Sequence, residues 1–306
     1  MTNRARAVMI QGDREVFCED INHICTILER FPRLSRTEVV HTLCETLNWL
    51  TPAGHPKLNA CRKLLYRLEQ QGIIRLPSIR QEKSHPGAYR RGTPQPSALT
   101  DAPPPLEMSL AELGAVRLSR LMDKEDKALW NEYVQRYHYL GYKQPFGYRQ
   151  RYFIEAGAHR LGCILLSGPA KVLTARERWI GWDDRQRLKN LPWVLNNSRF
   201  LLFPWVQVAN LASHVLGQLA RRVADDWERG WGYRPVLLET FVDPAHFHGG
   251  CYRAAGWELL GRTTGEGLVR PGKQYKTTPK LIFAKPLQKN FRRLLCSEQL
   301  QGRTEL

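Results

Sequence analysis

The sequence has no stretch approaching ~20 uninterrupted apolar residues, the length a helix needs to cross a bilayer, so no membrane span is expected. The opening MTNRARAVMIQGD is charged and lacks the apolar centre of a secretion signal, which points to the cytoplasm. A C-x-x-C pair is also missing. The seven cysteines (18, 25, 44, 61, 163, 251 and 296) are an odd number, which argues against a disulfide framework and against a thiolate zinc site. Most are expected to be reduced, small, buried residues. Negative charge is scarce, with 29 Asp and Glu against 46 Lys and Arg, a formal net charge of +17. Such an excess favours polyanionic partners, because neutralising phosphates releases counterions. Nucleic acid comes first among them, an acidic membrane surface second. No internal repeat is visible.

What is present suffices for about two domains of ~150 residues each, and 42% hydrophobic residues rule out wholesale disorder. Residues 1–76 read as three short helices and a strand. FCEDINHICTILER places Ile21, Ile24 and Leu28 on one helical face. Ser35-Arg36-Thr37-Glu38 is a capping box that opens a second helix through Val39, Val40, Leu43 and Leu47. The third runs from Pro56 to Gly72, and Ile73, Ile74 and Leu76 follow as a short strand. This is the plan of a winged-helix or helix-turn-helix module. Its third helix would present Lys57, Asn59, Arg62, Lys63 and Arg67 to a DNA major groove, unless that polar face is merely solvated.

Residues 77–106 carry seven prolines, few large apolar side chains and a terminal PPP, the material of a semi-rigid linker. An α/β domain is expected over 107–287 and a basic, frayed tail over 288–306. The domain opens with a helix through Leu110, Leu113 and Leu118, and a second from Leu129 to Tyr137. In the loop HYLGYKQPFGYRQ, Tyr139, Tyr142 and Tyr148 alternate with Lys143, Arg149 and Arg151. That mixture suits stacking on unpaired bases and suits an ordinary half-buried loop equally. Strands are expected at 151–155, 160–166 and 199–204, and Asn210 caps a long helix with Val215, Leu216, Leu219, Val223 and Trp227 buried.

The domain is organised around RPVLLETFVDPAHFHGGCYRAAGWELLGRT, residues 234–263, read as strand, turn, helix from His246 to Ala255, and strand. It delivers Glu239, Asp243 and Tyr252 to one sheet edge, where open α/β folds bind ligands. The two carboxylates, four apart, are candidates to hold one Mg²⁺ for phosphoryl transfer. Alternatively, Glu239 pairs with an arginine and Asp243 caps the following helix. Tyr252 reads as a DNA nucleophile, a general acid or a core tyrosine. His246-Phe247-His248 spells the His–hydrophobic–His pattern of nicking endonucleases, although a helix there would make the two imidazoles diverge. Asn196, Asn197 and Arg199, with Lys273 and Lys276 in the glycine-rich basic loop, are candidates for phosphate binding.

Two resemblances follow from these motifs. RFLLFP, the helix from Asn210, PVLLETF and CYRAAGWELLG together resemble the GNAT acyltransferase fold. In that fold a tyrosine matching Tyr252 often protonates the leaving thiolate of coenzyme A. Its pyrophosphate loop, R/Q-x-x-G-x-G/A, is matched by Gln207-Val208-Ala209-Asn210-Leu211-Ala212 except for Asn210 at the central glycine. That departure disfavours coenzyme A, because a side chain stands where backbone should approach a phosphate. The wider set, HYLGY, WIGW, NLPWVLNNSRFLLFP, LAS and LLETFVDP…CYRAAGWELLGRT, resembles the DruA family of the Druantia anti-phage defence system, whose relatives occur in transposon-like elements.

The combined expectation is an α/β protein with a winged-helix domain, a Pro-rich linker and a GNAT-like mixed-sheet domain. It would bind DNA and cleave or transfer a strand at Tyr252, Glu239 and Asp243. The alternatives are a non-enzymatic DNA-binding adaptor and a GNAT-type acetyltransferase. Partners would be DNA and other proteins of the same defence or mobile element, with a homodimer compatible.

Overall fold

The capping box opens its helix: the Glu38 amide donates to the Ser35 hydroxyl, and the Ser35 amide donates to the Glu38 carboxylate at 2.7 Å. This computed structural model describes residues 7–32, 34–78, 94–145, 147–265 and 278–298, which fall into two compact units, up to residue 78 and from 94 onward.

The first unit starts with an antiparallel hairpin, β1 (Met9–Gln11) and β2 (Arg14–Val16), followed by α1 (Cys18–Arg30), α2 (Arg36–Thr46) and α3 (Leu58–Gln70). The three helices lie where their apolar spacing places them and share a core of Ile24, Val39, Leu43, Leu64 and Leu68. The strand expected at residues 73–76 does not form. Ile74 and Leu76 plug the core instead, and the Leu76 amide donates to the Glu69 carboxylate. The hairpin of this unit precedes α1.

The second unit continues with β3 (Leu106–Glu107), α4 (Leu110–Leu113), β4 (Val116–Arg120), α5 (Lys124–Tyr137), β5 (Arg149–Ala156) and β6 (His159–Ser167). Then come α6 (Thr174–Ile180), α7 (Asp184–Asn190), β7 (Val194–Leu202), β8 (Val206–Gln207) and α8 (Leu211–Trp231). It closes with β9 (Leu237–Val242), α9 (Gly250–Ala254), β10 (Glu258–Arg262), β11 (Leu281–Pro286) and α10 (Phe291–Leu295). Seven strands form one mixed sheet in the order β10-β11-β9-β7-β6-β5-β4, antiparallel throughout except at β7–β9.

Both faces of this sheet are covered, which explains the unbroken apolar runs of β5 and β6. Alternate residues Tyr152, Ile154, Ile164 and Leu166 share a core with Val215, Leu219, Val223 and Trp227 of α8. Their neighbours Phe153, Cys163 and Leu165 pack with Trp130, Tyr133 and Val134 of α5.

Local chemistry overrides several expected boundaries. The helix expected through Leu118 stops at Leu113, because Gly114 turns the chain with φ of 76°, and Leu118 lies in β4. Within the expected linker, Ala98–Thr100 form a 3₁₀ turn pinned to α5, where the Thr100 hydroxyl donates to Glu132 at 2.6 Å. The expected frayed tail contains α10, because Phe291 and Leu295 are apolar enough to bury against the main core.

Candidate functional site

The seam between β7 and β9 is hydrogen-bonded over only Val194–Asn196 and Leu237–Glu239. Beyond these pairs each strand keeps its outer partner, β7 with β6 as far as Leu202 and β9 with β11 as far as Val242. The strands therefore part, and a cavity of about 350 Å³ opens between them. Asn197, Ser198 and Phe200 line it from β7, Thr240 and Asp243 from β9 and its end, and Tyr252 from α9. Ala212, in the first turn of α8, and Tyr139 and Phe247 at an outer mouth complete the wall.

The two carboxylates do not converge on a cation. Glu239 is fully buried and accepts from Arg176 Nη1 at 2.7 Å and from the Ala170 amide at 2.8 Å. Burial pushes its carboxyl up, against the pull of the Arg176 guanidinium. Asp243 accepts from the Ala245 amide at 3.1 Å and from the Thr278 hydroxyl at 3.0 Å. The Ala245 hydrogen bond holds its carboxyl below the usual carboxylate range, with Lys280 and His246 adding to the effect. Among the described residues no group of three His, Cys, Asp or Glu could hold a metal ion. The helix expected from His246 is confined to α9, so His246 and Phe247 sit in an exposed turn ahead of it.

Tyr252 is 6% exposed and stacked on Phe283, with its hydroxyl facing the parted seam. Its oxygen accepts from Asn197 Nδ2 at 3.4 Å. The Thr240 hydroxyl has its shorter bond, 2.9 Å, to the Asn197 carbonyl, which leaves the 3.5 Å contact between Thr240 and Tyr252 to the tyrosine proton. Burial raises this phenol well above its ordinary value, so it stays protonated across neutral pH. Asn197 Oδ1 is buried and has no hydrogen-bond partner among the described residues. His138, which the sequence reading passed over, also lines the cavity. Burial, then the nearby charges of Arg199 and Lys280, push it down to about 4, so it is neutral at pH 7. Its Nδ1 accepts from the Leu140 amide at 3.2 Å, which places the proton on Nε2.

The other expected contact residues divide. In the first unit, Asn59, Arg62, Lys63 and Arg67 are exposed along α3, while Lys57 is tied to Asp13 in an ion pair. In the second unit, Arg151 is buried over the Trp130 ring and donates to the Tyr142 hydroxyl at 2.8 Å, so Tyr142 and Arg151 form a packed cluster. Arg149 donates to the carbonyls of Pro145 and Gly147, Lys143 is exposed, and Asn196 ends the paired half of the seam opposite Glu239. Arg199 donates to the Gly141 and Ser198 carbonyls and has no carboxylate within ion-pair reach among the described residues. Lys273 and Lys276 lie outside the described residues.

A second groove follows the start of α8, lined by Asn210, Ser213, His214, Gly217 and Arg221, with Ala254 and Ala255 opposite. The first-turn amides of a helix lack internal acceptors, and α8 has no acidic residue in that turn, so the groove suits an anion. Asn210 makes no side-chain cap; it takes the left-handed conformation, φ 61° and ψ 2°, ahead of the helix.

The family description "Druantia protein DruA" matches residues 67–273, more than half of the chain. The chain belongs to the DruA family. No curated protein matches it. Among solved structures, the second unit of this DruA-family chain resembles an aminoglycoside acetyltransferase in complex with coenzyme A and kanamycin, at 17% identity and a TM-score of 0.39, covering 58% of this chain and 98% of that one. It also resembles a Bacillus subtilis acetyltransferase in complex with coenzyme A (11%, TM-score 0.31, 56% and 98% covered) and a Vibrio cholerae spermidine N-acetyltransferase (10%, TM-score 0.35, 58% and 97% covered).

Two expectations are corrected. The DNA-cleaving or strand-transferring centre at Tyr252, Glu239 and Asp243 does not stand, since Glu239 is paired with Arg176 and Asp243 is held by a turn. The objection to coenzyme A narrows to the Asn210 side chain, which lines the groove. Asparagine is a side chain that tolerates the left-handed region, so Asn210 supplies the backbone conformation for which glycine is otherwise needed. No helix among the described residues is long and apolar enough to cross a membrane.

Proposed function

We propose that the second unit is a GNAT-type acyltransferase using an acyl thioester of coenzyme A. The observation that carries this reading is the parted seam: a cleft that joins the first turn of α8, at Ala212, to the Tyr252 hydroxyl. The acid-free groove at Asn210, Ser213 and Arg221 would hold the anionic end of the cofactor. Asn197 Oδ1, buried without a donor, would take an amide N–H of the cofactor or an N–H of the acceptor. When bound, the thioester supplies an activated acyl group. Tyr252, kept protonated by burial, is the group able to deliver a proton inside the cleft, and neutral His138 has its Nε2 proton available to polarise a carbonyl oxygen.

Calorimetric titration of acetyl-coenzyme A into the full chain tests the reading. Saturable binding is expected, weakened about tenfold or more in Ser213→Glu, a change that preserves the fold because a carboxylate is favourable at a helix start but repels an anion there. No binding by the unaltered protein overturns it.

For the first unit we propose duplex DNA as the partner. Support comes from the outward face of α3, where Asn59, Arg62, Lys63, Tyr66, Arg67 and Gln70 are all exposed and none is acidic. Arg62→Ala with Lys63→Ala should reduce the salt dependence of duplex binding, the slope of log K against log[salt], by about two. An unchanged slope removes α3 from the interface.

A further inference from the structure

We infer that the outer mouth of the cleft binds an unpaired nucleobase carrying an exocyclic amine. The mouth is a rim of three exposed rings from two separate segments. Tyr139 lies 4.8 Å from His246 and 5.8 Å from Phe247 between ring centroids, and Tyr139 and Phe247 are 42% and 54% exposed. A rim of rings that stays largely open to water offers a stacking surface for another planar group. Arg199, half-buried beside Tyr139, keeps a charge without a carboxylate partner among the described residues. That charge stands beside the Tyr139 ring, where it would favour an anionic strand, and the chain as a whole carries +17.

Further in, the unsatisfied groups are acceptors. Asn197 Oδ1 has no partner, and the Asp243 carboxylate, whose two oxygens each take one donor, retains lone pairs. Acceptors at the back of an aromatic slot select a planar ring that presents N–H donors at its edge. The cleft also lacks a ready base: His138 is neutral to about pH 4 and its Nδ1 is already engaged, and Asp243 is held ionised. An alkylammonium would need to be deprotonated there, whereas the amine of a nucleobase is neutral at pH 7. Binding of the base stands without acyl transfer; treating the base as the acceptor rests on the acyltransferase reading.

Saturation-transfer NMR on the full chain with cytidine, adenosine and N4,N4-dimethylcytidine tests it, and nucleosides exclude any purely phosphate-driven signal. Cytidine and adenosine should saturate, and the dimethyl compound, which keeps the ring but loses both N–H donors, should bind about tenfold more weakly. Tyr139→Ala and Phe247→Ala, both at exposed positions, should each weaken cytidine binding about tenfold while leaving the unfolding temperature unchanged. Single-stranded oligocytidylate should compete with cytidine if the natural source is a strand; failure to compete identifies a free nucleotide instead, and the base site stands. Equal binding of cytidine and its dimethyl form, or indifference to both ring variants, overturns the proposal whatever the coenzyme titration gives.

Discussion

The two halves of the β7–β9 seam are made of the same strands and differ in whether those strands stay paired. In the first half the backbone pairs from Val194 to Asn196 are made and Glu239 is matched by Arg176 and the Ala170 amide with no solvent contact, while Asn196 Oδ1 and Arg176 Nε have no partner among the described residues. In the second half the strands separate, Asn197 Oδ1 has no partner among the described residues, and the Tyr252 hydroxyl makes only long contacts. A carboxylate in the closed half is structural, and reactive chemistry can sit only in the open half. Removing Glu239 should therefore be the costliest change. Glu239→Ala leaves Arg176 buried with only Glu177 and should cost about 3 kcal/mol in urea unfolding. Combining Glu239→Leu with Arg176→Met should restore most of that loss. A cost under ~1 kcal/mol for the single change would make the halves alike.

The open half should respond to acid through His138. His138 sits near 4 in the folded chain against an ordinary 6.5, so between these values the unfolded chain binds the extra proton. Its contribution to stability is complete above pH 6.5 and is lost as the pH falls toward 4. At pH 5 the loss should be about 1–2 kcal/mol, allowing for partial exposure. His138→Gln should flatten this part of the urea-midpoint profile. An unchanged profile would show that the mouth does not exclude water from the ring.

How far the sequence reveals this contrast follows from the range of each signal. The buried stripe of α8, the helices of the first unit and the strand core Val236–Leu238 are local patterns, and they form as their periodicity requires. The parting of β7 from β9 is not local. Leu195 and Leu201 are equally apolar in the sequence, and only pairing with β6 and β11 decides which of them borders an open seam. Tyr252 is legible as a corner tyrosine, but its burial depends on Phe283, far along the chain. The reading of Glu239 with Asp243 failed because Arg176, which claims Glu239, lies 63 positions away. His138 was missed because no spacing links it to Asn197; only HYLGY, as a recurring motif, marked the place.

Tyr252→Phe should cost far less stability than Glu239→Ala. The hydroxyl contacts are long, 3.4 Å and 3.5 Å, so the fold should lose about 1 kcal/mol or less. In acetyl transfer assays, turnover should fall about 100-fold with coenzyme affinity nearly unchanged, because only a proton donor is removed. A stability loss as large as that of Glu239→Ala would place Tyr252 with the closed half.

The smallest effect is expected at Asn210, just ahead of α8. Its φ of 61° costs asparagine modest strain, while glycine would take the same angle freely but lose more chain entropy on folding. The terms oppose each other, so Asn210→Gly should change stability by no more than ~0.5 kcal/mol. Because the backbone already has the left-handed form, acetyl-coenzyme A affinity should change less than about threefold. A large gain in affinity would mean that the asparagine side chain obstructs the groove after all, and the open half of the seam would then have lost its route to the start of α8.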